Sequence, residues 1–376
     1  MQLNIFNLFS RELEEQWCEF EAETAWSPFQ SYGWISHWQK TVGKPLHFII
    51  PQIVVLRKGK VLIGILPMGI RKNNGIKVLE WLGGIHSDYM GPLLKSDYQL
   101  YFDDFQTVWK SILELIDSFD VIHFQRQPKS IGLVENPFVF NFQVEQSDLA
   151  YQAEHIGGWE KFQESKIGKK LRADSKRQIR RLNEIGKVEF KIAKSLAEEA
   201  EVIKNMIIQK RQRYVDTGLT DKLAIKEHQD FYRGLVGIEM GNYYLSCAYI
   251  KVDNVIISTH VGIVSDQCFF YLMPANDNKI WKPFSSGRLL LEYLMKWSLD
   301  LNIKIFDFTV GGEDYKKKWC NKEIKLFEYI ETFNIKGVVY SFVRSLSKIA
   351  KQNPKIWSFL KKMQATLKRN EITFLF

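Results

Sequence analysis

The sequence predicts an α/β (α+β) chain whose two halves repeat one order of elements. Three observations predict it. Runs of strand length rich in Val, Ile, Phe and Tyr are bounded by Gly, Asp and Asn. Between them lie stretches with the 3.6-residue apolar spacing of amphipathic helices, and the same succession recurs after about residue 150. A length of 376 residues has room for about two domains. Hydrophobic residues at 45% and charged residues at 25% exclude both wholesale disorder and a membrane bundle.

The second half is the clearer. A strand at 188–194 leads to a helix at 197–214, with Ser195 as N-cap and Glu198, Glu199 and Glu201 near its positive end. A helix at 227–240 places Phe231, Leu235 and Ile238 on one side. Strands at 244–250, 255–264 and 268–273 follow, the first two joined across Asp253 and Asn254. Ser285-Ser286-Gly287 then opens a helix with Leu290, Leu294, Trp297 and Leu301 on one face, and strands at 303–310 and 324–333 complete the unit.

The first half follows the same order more faintly. It reads as a strand at 3–9, helices at 12–23 and 32–42, and a hairpin of strands 53–56 and 61–68 across Lys58-Gly59. A strand at 78–82, a helix at 98–118 and a strand at 121–125 follow, so the chain reads as a duplication, with a right-handed parallel crossover in each half. The expected units are residues 1–150, 151–335 and a basic amphipathic helical tail, 336–376.

Charge is unevenly placed. The net charge is +9, yet residues 336–376 alone carry nine basic residues against Glu371, and residues 161–181 carry nine against Glu164 and Asp174. The remainder is mildly acidic, so anionic partners are expected at those two places. The tail spaces Val339, Phe342, Val343 and Leu346, then Trp357, Leu360, Met363 and Leu367, between lysines. It can lie on an anionic membrane surface or pack on the globule with its charges outward. The N-terminus lacks the basic and apolar regions of a signal peptide, and Cys18, Cys247, Cys268 and Cys320 stand at neither zinc nor disulfide-exchange spacing. A reduced cytoplasmic protein, peripheral at most to the inner face of the cytoplasmic membrane, is expected. No metal is expected, because the histidines form no ligand pairs; GxSxG and GxxxxGK[ST] motifs are also absent.

The chemistry concentrates in Phe306-Asp307-Phe308-Thr309-Val310-Gly311-Gly312-Glu313-Asp314-Tyr315-Lys316-Lys317-Lys318-Trp319, a strand running into a polar turn. Ligands of α/β proteins bind at such strand ends, so this is one wall of an active site. Together with Ser285-Ser286-Gly287-Arg288-Leu289-Leu290 some twenty residues upstream, it resembles the CelD/BioF2-like acyltransferases, members of the GNAT superfamily related to the FemAB aminoacyl transferases. Residues 27–34 and 169–182 resemble that family too, and the resemblance extends to about Phe333. It implies two tandem GNAT-like domains, each a mixed, mostly antiparallel sheet flanked by helices. It also implies acyl transfer, in the simplest case of acetyl, from acyl-CoA to an amino or hydroxyl group of a sugar, polysaccharide or cell-envelope precursor. The glycine-rich acyl-CoA turn of many GNAT proteins has no counterpart here.

Roles can be set out residue by residue. Ser285, Ser286, Gly287 and Arg288 can hold the pyrophosphate of coenzyme A at a helix N-terminus, or be an ordinary Ser cap beside a solvated Arg. His260 shares a strand face with Ser258 and Gly262, where a cleft would let it act as base; the alternative is a hydrogen-bonded structural histidine. Glu313 is an alternative base, Tyr315 can protonate the leaving thiolate, and Lys316 can stabilise the oxyanion, a placement that FemAB relatives also give a functional lysine. Asp307 and Trp319 read as the frame, and the turn at 83–89 as a surface loop or cleft lining. Two other functions fit: an aminoacyl-tRNA-dependent transferase whose 161–181 segment meets RNA phosphates, and a non-catalytic membrane-associated scaffold of the same fold.

Overall fold

The computed structural model describes residues 1–24, 27–101, 104–132, 134–154, 158–164, 168–311 and 314–352. The first half runs β1 (Gln2–Phe6), α1 (Arg11–Glu23), α2 (Tyr32–Trp38), α3 (Lys44–His47), β2 (Ile50–Lys58), β3 (Val61–Asn73), β4 (Ile76–Trp81), β5 (Leu93–Leu94) and α4 (Phe105–Leu115). It continues through β6 (Val121–Pro128), β7 (Ser130–Ile131), β8 (Val134–Glu135), α5 (Pro137–Phe140) and β9 (Glu145–Glu154). The second comprises α6 (Gly158–Phe162), α7 (Gly168–Asn183), β10 (Val188–Ile192), α8 (Leu196–Thr217), α9 (Lys226–Arg233), β11 (Tyr244–Val252), β12 (Val255–Val264) and β13 (Cys268–Asn276). After these come α10 (Ser286–Asp300), β14 (Ile305–Val310), α11 (Asp314–Trp319), β15 (Lys322–Thr332) and α12 (Ile335–Gln352).

The repeat is present in space. β1-β2-β3-β4-β6 and β10-β11-β12-β13-β14 are matching runs, antiparallel until the last pair, where β4/β6 and β13/β14 are parallel across a helical crossover. The halves are nevertheless not separable units. One sheet contains both runs, and its middle reads β6-β15-β9-β14. The last strand of the first half thus lies against β14 of the second, and the last strand of the second against β6 of the first. The expected boundary at residue 150 falls inside β9.

Local chemistry accounts for the elements. The Ser195 hydroxyl accepts from the Glu198 N–H to start α8, and Gly218, at φ 65°, ends it. The β2–β3 hairpin turns at Gly59, which adopts φ 60°. α9 stops at Arg233, short of the expected end, with Gly234 as its C-cap, and Gly237, at φ 77°, keeps the chain beyond from resuming the helix; Leu235 still packs into the core from that irregular stretch.

One core cluster joins Trp17, Phe29 and Trp34 of the first half to Phe231, Leu235 and Phe270 of the second. Another lies between α10 and the sheet face bearing Phe269, Tyr271, Phe306 and Phe308. Asp307, alternating with Phe306 and Phe308, faces the opposite side, toward Phe270 and the first half. Among the described residues no helix is long and apolar enough to cross a membrane.

Candidate active site

β13 and β14 pair only over Cys268–Phe270 against Ile305–Asp307. β13 continues to Asn276 without β14 beside it, so the two strands part immediately after Phe270 and Asp307. Past this point β14 is irregular: Thr309 takes φ 57°, unusual for a β-branched residue, and Gly311 takes φ 138°. The Thr309 N–H thereby turns back to donate to Asp307 Oδ1 at 2.7 Å.

Asp307 is buried and collects further donors from two distant parts of the chain. The Tyr89 hydroxyl lies 2.9 Å from both carboxylate oxygens, and Gln152 Nε2 donates to Oδ2 at 2.8 Å. Burial pushes the carboxyl up; Gln152, Thr309 and Tyr89 favour the anion and pull the other way, leaving a pKa of about 6. The Tyr89 phenol is itself held well above its usual range by burial and by the Asp307 charge. These groups line a cavity of about 530 Å³ that also touches Tyr243, Cys268 and Phe270. A larger cavity, about 960 Å³, lies between α1, α2 and residues 237–241 and is lined by none of them.

Of the turn at 83–89, Tyr89 lines the smaller cavity. The same turn brings in Asp88, which accepts from the Thr309 hydroxyl and from Arg126 Nη1. Burial raises the Asp88 carboxyl, and the nearby Arg126 and Lys316 charges counter it. Lys316, buried in α11, donates from Nζ to the Val310 carbonyl at 2.9 Å. Lys316, Asp88 and Asp307 thus gather about the end of β14.

The other candidates from the sequence fall in three places. Tyr315 is partly exposed on α11, edge-on to Phe308 with ring centroids 6.4 Å apart. Glu313 lies outside the described residues. His260 is not at a cleft: its strand face is covered by α10 rather than open. The ring is fully buried, stacked on Tyr271 at 4.3 Å, and among the described residues neither nitrogen has a hydrogen-bond partner. Burial, with the Lys210 charge, lowers its pKa to about 3, so it is neutral and has no route to substrate.

The helix-start motif is split in the same way. Ser285, at φ 53°, precedes α10 and its carbonyl accepts from the N–H groups of Arg288 and Leu289. Ser286 is buried, and a Cβ at Gly287 would sit 3.2 Å from Asn276 Oδ1, so the N-terminus of α10 abuts the free end of β13. Arg288 is neither solvated nor aimed at the gap. Its guanidinium donates to Asp174 Oδ2 at 2.6 Å and Glu292 Oε1 at 2.8 Å, clamping α7 to α10.

Sequence reasoning placed Asp307 in the frame of the motif and missed the two side chains that hold it. An acid in an otherwise apolar alternation, Phe-Asp-Phe, was the available signal for Asp307. Tyr89 and Gln152 reach it across sequence separations of 218 and 155 residues, where no local pattern can register them.

Residues 169–317 match the family model described as an acetyltransferase (GNAT) domain. No curated protein sequence matches the chain. Among solved structures, FemX is similar at 11% identity over 91% of this chain and 100% of its own, with a TM-score of 0.61. A conserved protein of unknown function from Bacteroides thetaiotaomicron VPI-5482 is similar at 9% identity over 87% and 99%, with a TM-score of 0.53. L-PGS from Bacillus licheniformis is similar at 13% identity over 85% and 91%, with a TM-score of 0.50. At such identities the likeness is one of fold. Residues 169–317 thus match a GNAT acetyltransferase domain, and the chain as a whole shares its fold with FemX.

Proposed function

We propose that the protein transfers an acyl group, in the simplest case acetyl, from acyl-CoA to an amino or hydroxyl group of a sugar, polysaccharide or cell-envelope precursor. The observation that supports this is the parting of β13 and β14 beside a buried carboxylate. Beyond Phe270, β13 continues without β14 beside it, and the pantetheine arm, an extended chain bearing amides, can enter the gap alongside it. The N-terminus of α10 at the end of β13 suits the pyrophosphate through its unpaired N–H groups and dipole. Ser286 and Gly287 contribute backbone there, without Arg288.

The donor approaches from the α10 side of the sheet and the acceptor from the opposite cavity, so the thioester meets its nucleophile in the gap. The acceptor nitrogen or oxygen attacks the thioester carbonyl carbon, and its proton passes to the Asp307 carboxylate. Lys316, near the end of β14, steadies the negative charge that gathers on the carbonyl oxygen. The carbon–sulfur bond then breaks, and the thiolate takes the Tyr315 proton. Calorimetric titration with acetyl-CoA and longer acyl-CoA esters tests the reading. Binding to at least one ester is expected, and no heat with any of them overturns it.

One observation favours a FemAB-like, aminoacyl-tRNA-dependent reaction. α7 exposes Lys169, Lys170, Lys176, Arg177 and Arg180 while its inner side is fixed to α10. tRNA binding that falls steeply with salt, without acyl-CoA binding, would select that donor.

A further inference from the structure

α12 sits on the sheet with its faces reversed relative to a helix that packs on a core. Its inward side is polar and small. Gly337 fits against the Asp120 backbone, where a Cβ would come within 2.2 Å of the carbonyl oxygen. The Tyr340 hydroxyl lies 2.7 Å from His123 Nδ1, Arg344 Nη2 donates to the buried Glu328 at 2.7 Å, and Lys348 pairs with Glu328 as well. Its outward side is apolar. Ile335, Val338, Val339, Phe342, Leu346 and Ile349 follow helical spacing along one stripe and are all exposed, Phe342 at 63% and Ile335 at 83%.

Apolar stripes normally drive a helix onto its own sheet, because burial removes their surface from water. Here the ionic pins turn the stripe to the outside. The surroundings indicate what covers it. Lys72 and Lys77 are cross-strand partners at the edge by the start of α12, and Lys77 and Lys336 both act on Asp120 at that end. The sequence beyond Gln352 adds Lys355, Lys361, Lys362, Lys368 and Arg369 against the single acid Glu371, interleaved with Trp357, Phe359 and Leu360. A second copy of this chain would bring these cations against one another. An anionic, apolar surface satisfies stripe and lysines together.

We propose that this face docks on an anionic lipid surface, with α12 lying in the plane of the interface and its stripe at the boundary between headgroups and acyl chains. The lysines at its start contact lipid phosphates. This holds whatever reaction the site performs.

Flotation of the full chain with phosphatidylcholine vesicles, with and without phosphatidylglycerol, tests it. Binding is expected only with phosphatidylglycerol and should weaken with salt. Phe342→Ser with Leu346→Ser should weaken it about tenfold or more through lost apolar contact. Lys72→Gln with Lys77→Gln should cost about fivefold per lysine. These are surface changes, so melting temperature and acyl-CoA binding should stay as in the unaltered chain.

Absence of binding to phosphatidylglycerol vesicles overturns the proposal. So does binding that ignores Phe342→Ser with Leu346→Ser but vanishes with Lys361→Gln and Lys362→Gln, which would assign the contact to the tail alone. A dimer in light scattering that the Phe342→Ser, Leu346→Ser pair dissociates, without vesicle binding, would assign the face to a second copy.

Discussion

At the scale of single residues, the balance at Asp307 sets the expected pH behaviour. Its carboxyl is lifted by burial to about 6, so the folded protein holds it protonated below that pH and as a base above it. The rate should therefore rise as pH passes through about 6, and Asp307→Asn should abolish that rise and lower kcat by roughly a hundredfold or more, read from a pH–rate profile. Tyr89→Phe removes a donor that favours the anion, so the rise should move to higher pH. His260 runs the other way. An unfolded histidine takes a proton near pH 6.5, but the buried ring resists until about 3, so its contribution to stability falls away as pH drops between those values. His260→Phe should flatten that window in melting curves and leave turnover within about twofold, since it also removes two buried polar atoms without partners. Alternation along its strand separates His260 from Thr259 and Val261, but a bulge near Ile257 interrupts it. Which element covers the face of His260 depends on α10, some thirty residues on, and periodicity carries no such information.

At the scale of elements, α12 is fixed to the sheet by polar contacts at Glu328. Burial pushes the Glu328 carboxyl up, but His123, Lys348 and Arg344 outweigh it and hold it well below the usual carboxylate range. This stabilisation is present above the unfolded carboxyl pKa and is lost as pH falls through the depressed one. Arg344→Met should cost about 2 kcal/mol in denaturant unfolding at neutral pH, by leaving a buried carboxylate short of a donor. The amphipathic spacing of α12 was legible in the sequence. Its orientation was not, because the buried partner Glu328 sits on β15, in a strand whose remaining pattern is ordinary. β9 escaped notice for a related reason: Glu145, Gln146, Ser147 and Asp148 open it with polar side chains, and only pairing on both sides makes it a strand.

At the scale of the molecule, the duplication was legible because each half carries its own succession of hairpin, helix and strand. The exchange of β9 and β15 was not, since either strand could complete either half and only three-dimensional pairing decides. Unfolding of the whole chain should therefore be a single calorimetric transition, and fragments 1–150 and 151–335 should each fail to give a soluble, cooperatively melting species. The traded strands also bear on descent. Once two copies of a unit have exchanged their closing strands, deletion of either copy leaves the other with an open sheet edge and a truncated strand. A duplication of this kind is a ratchet: the first copy is kept for its strand even if it contributes no chemistry, and it becomes free raw material for shaping the cavity beside Asp307, which Tyr89 already lines.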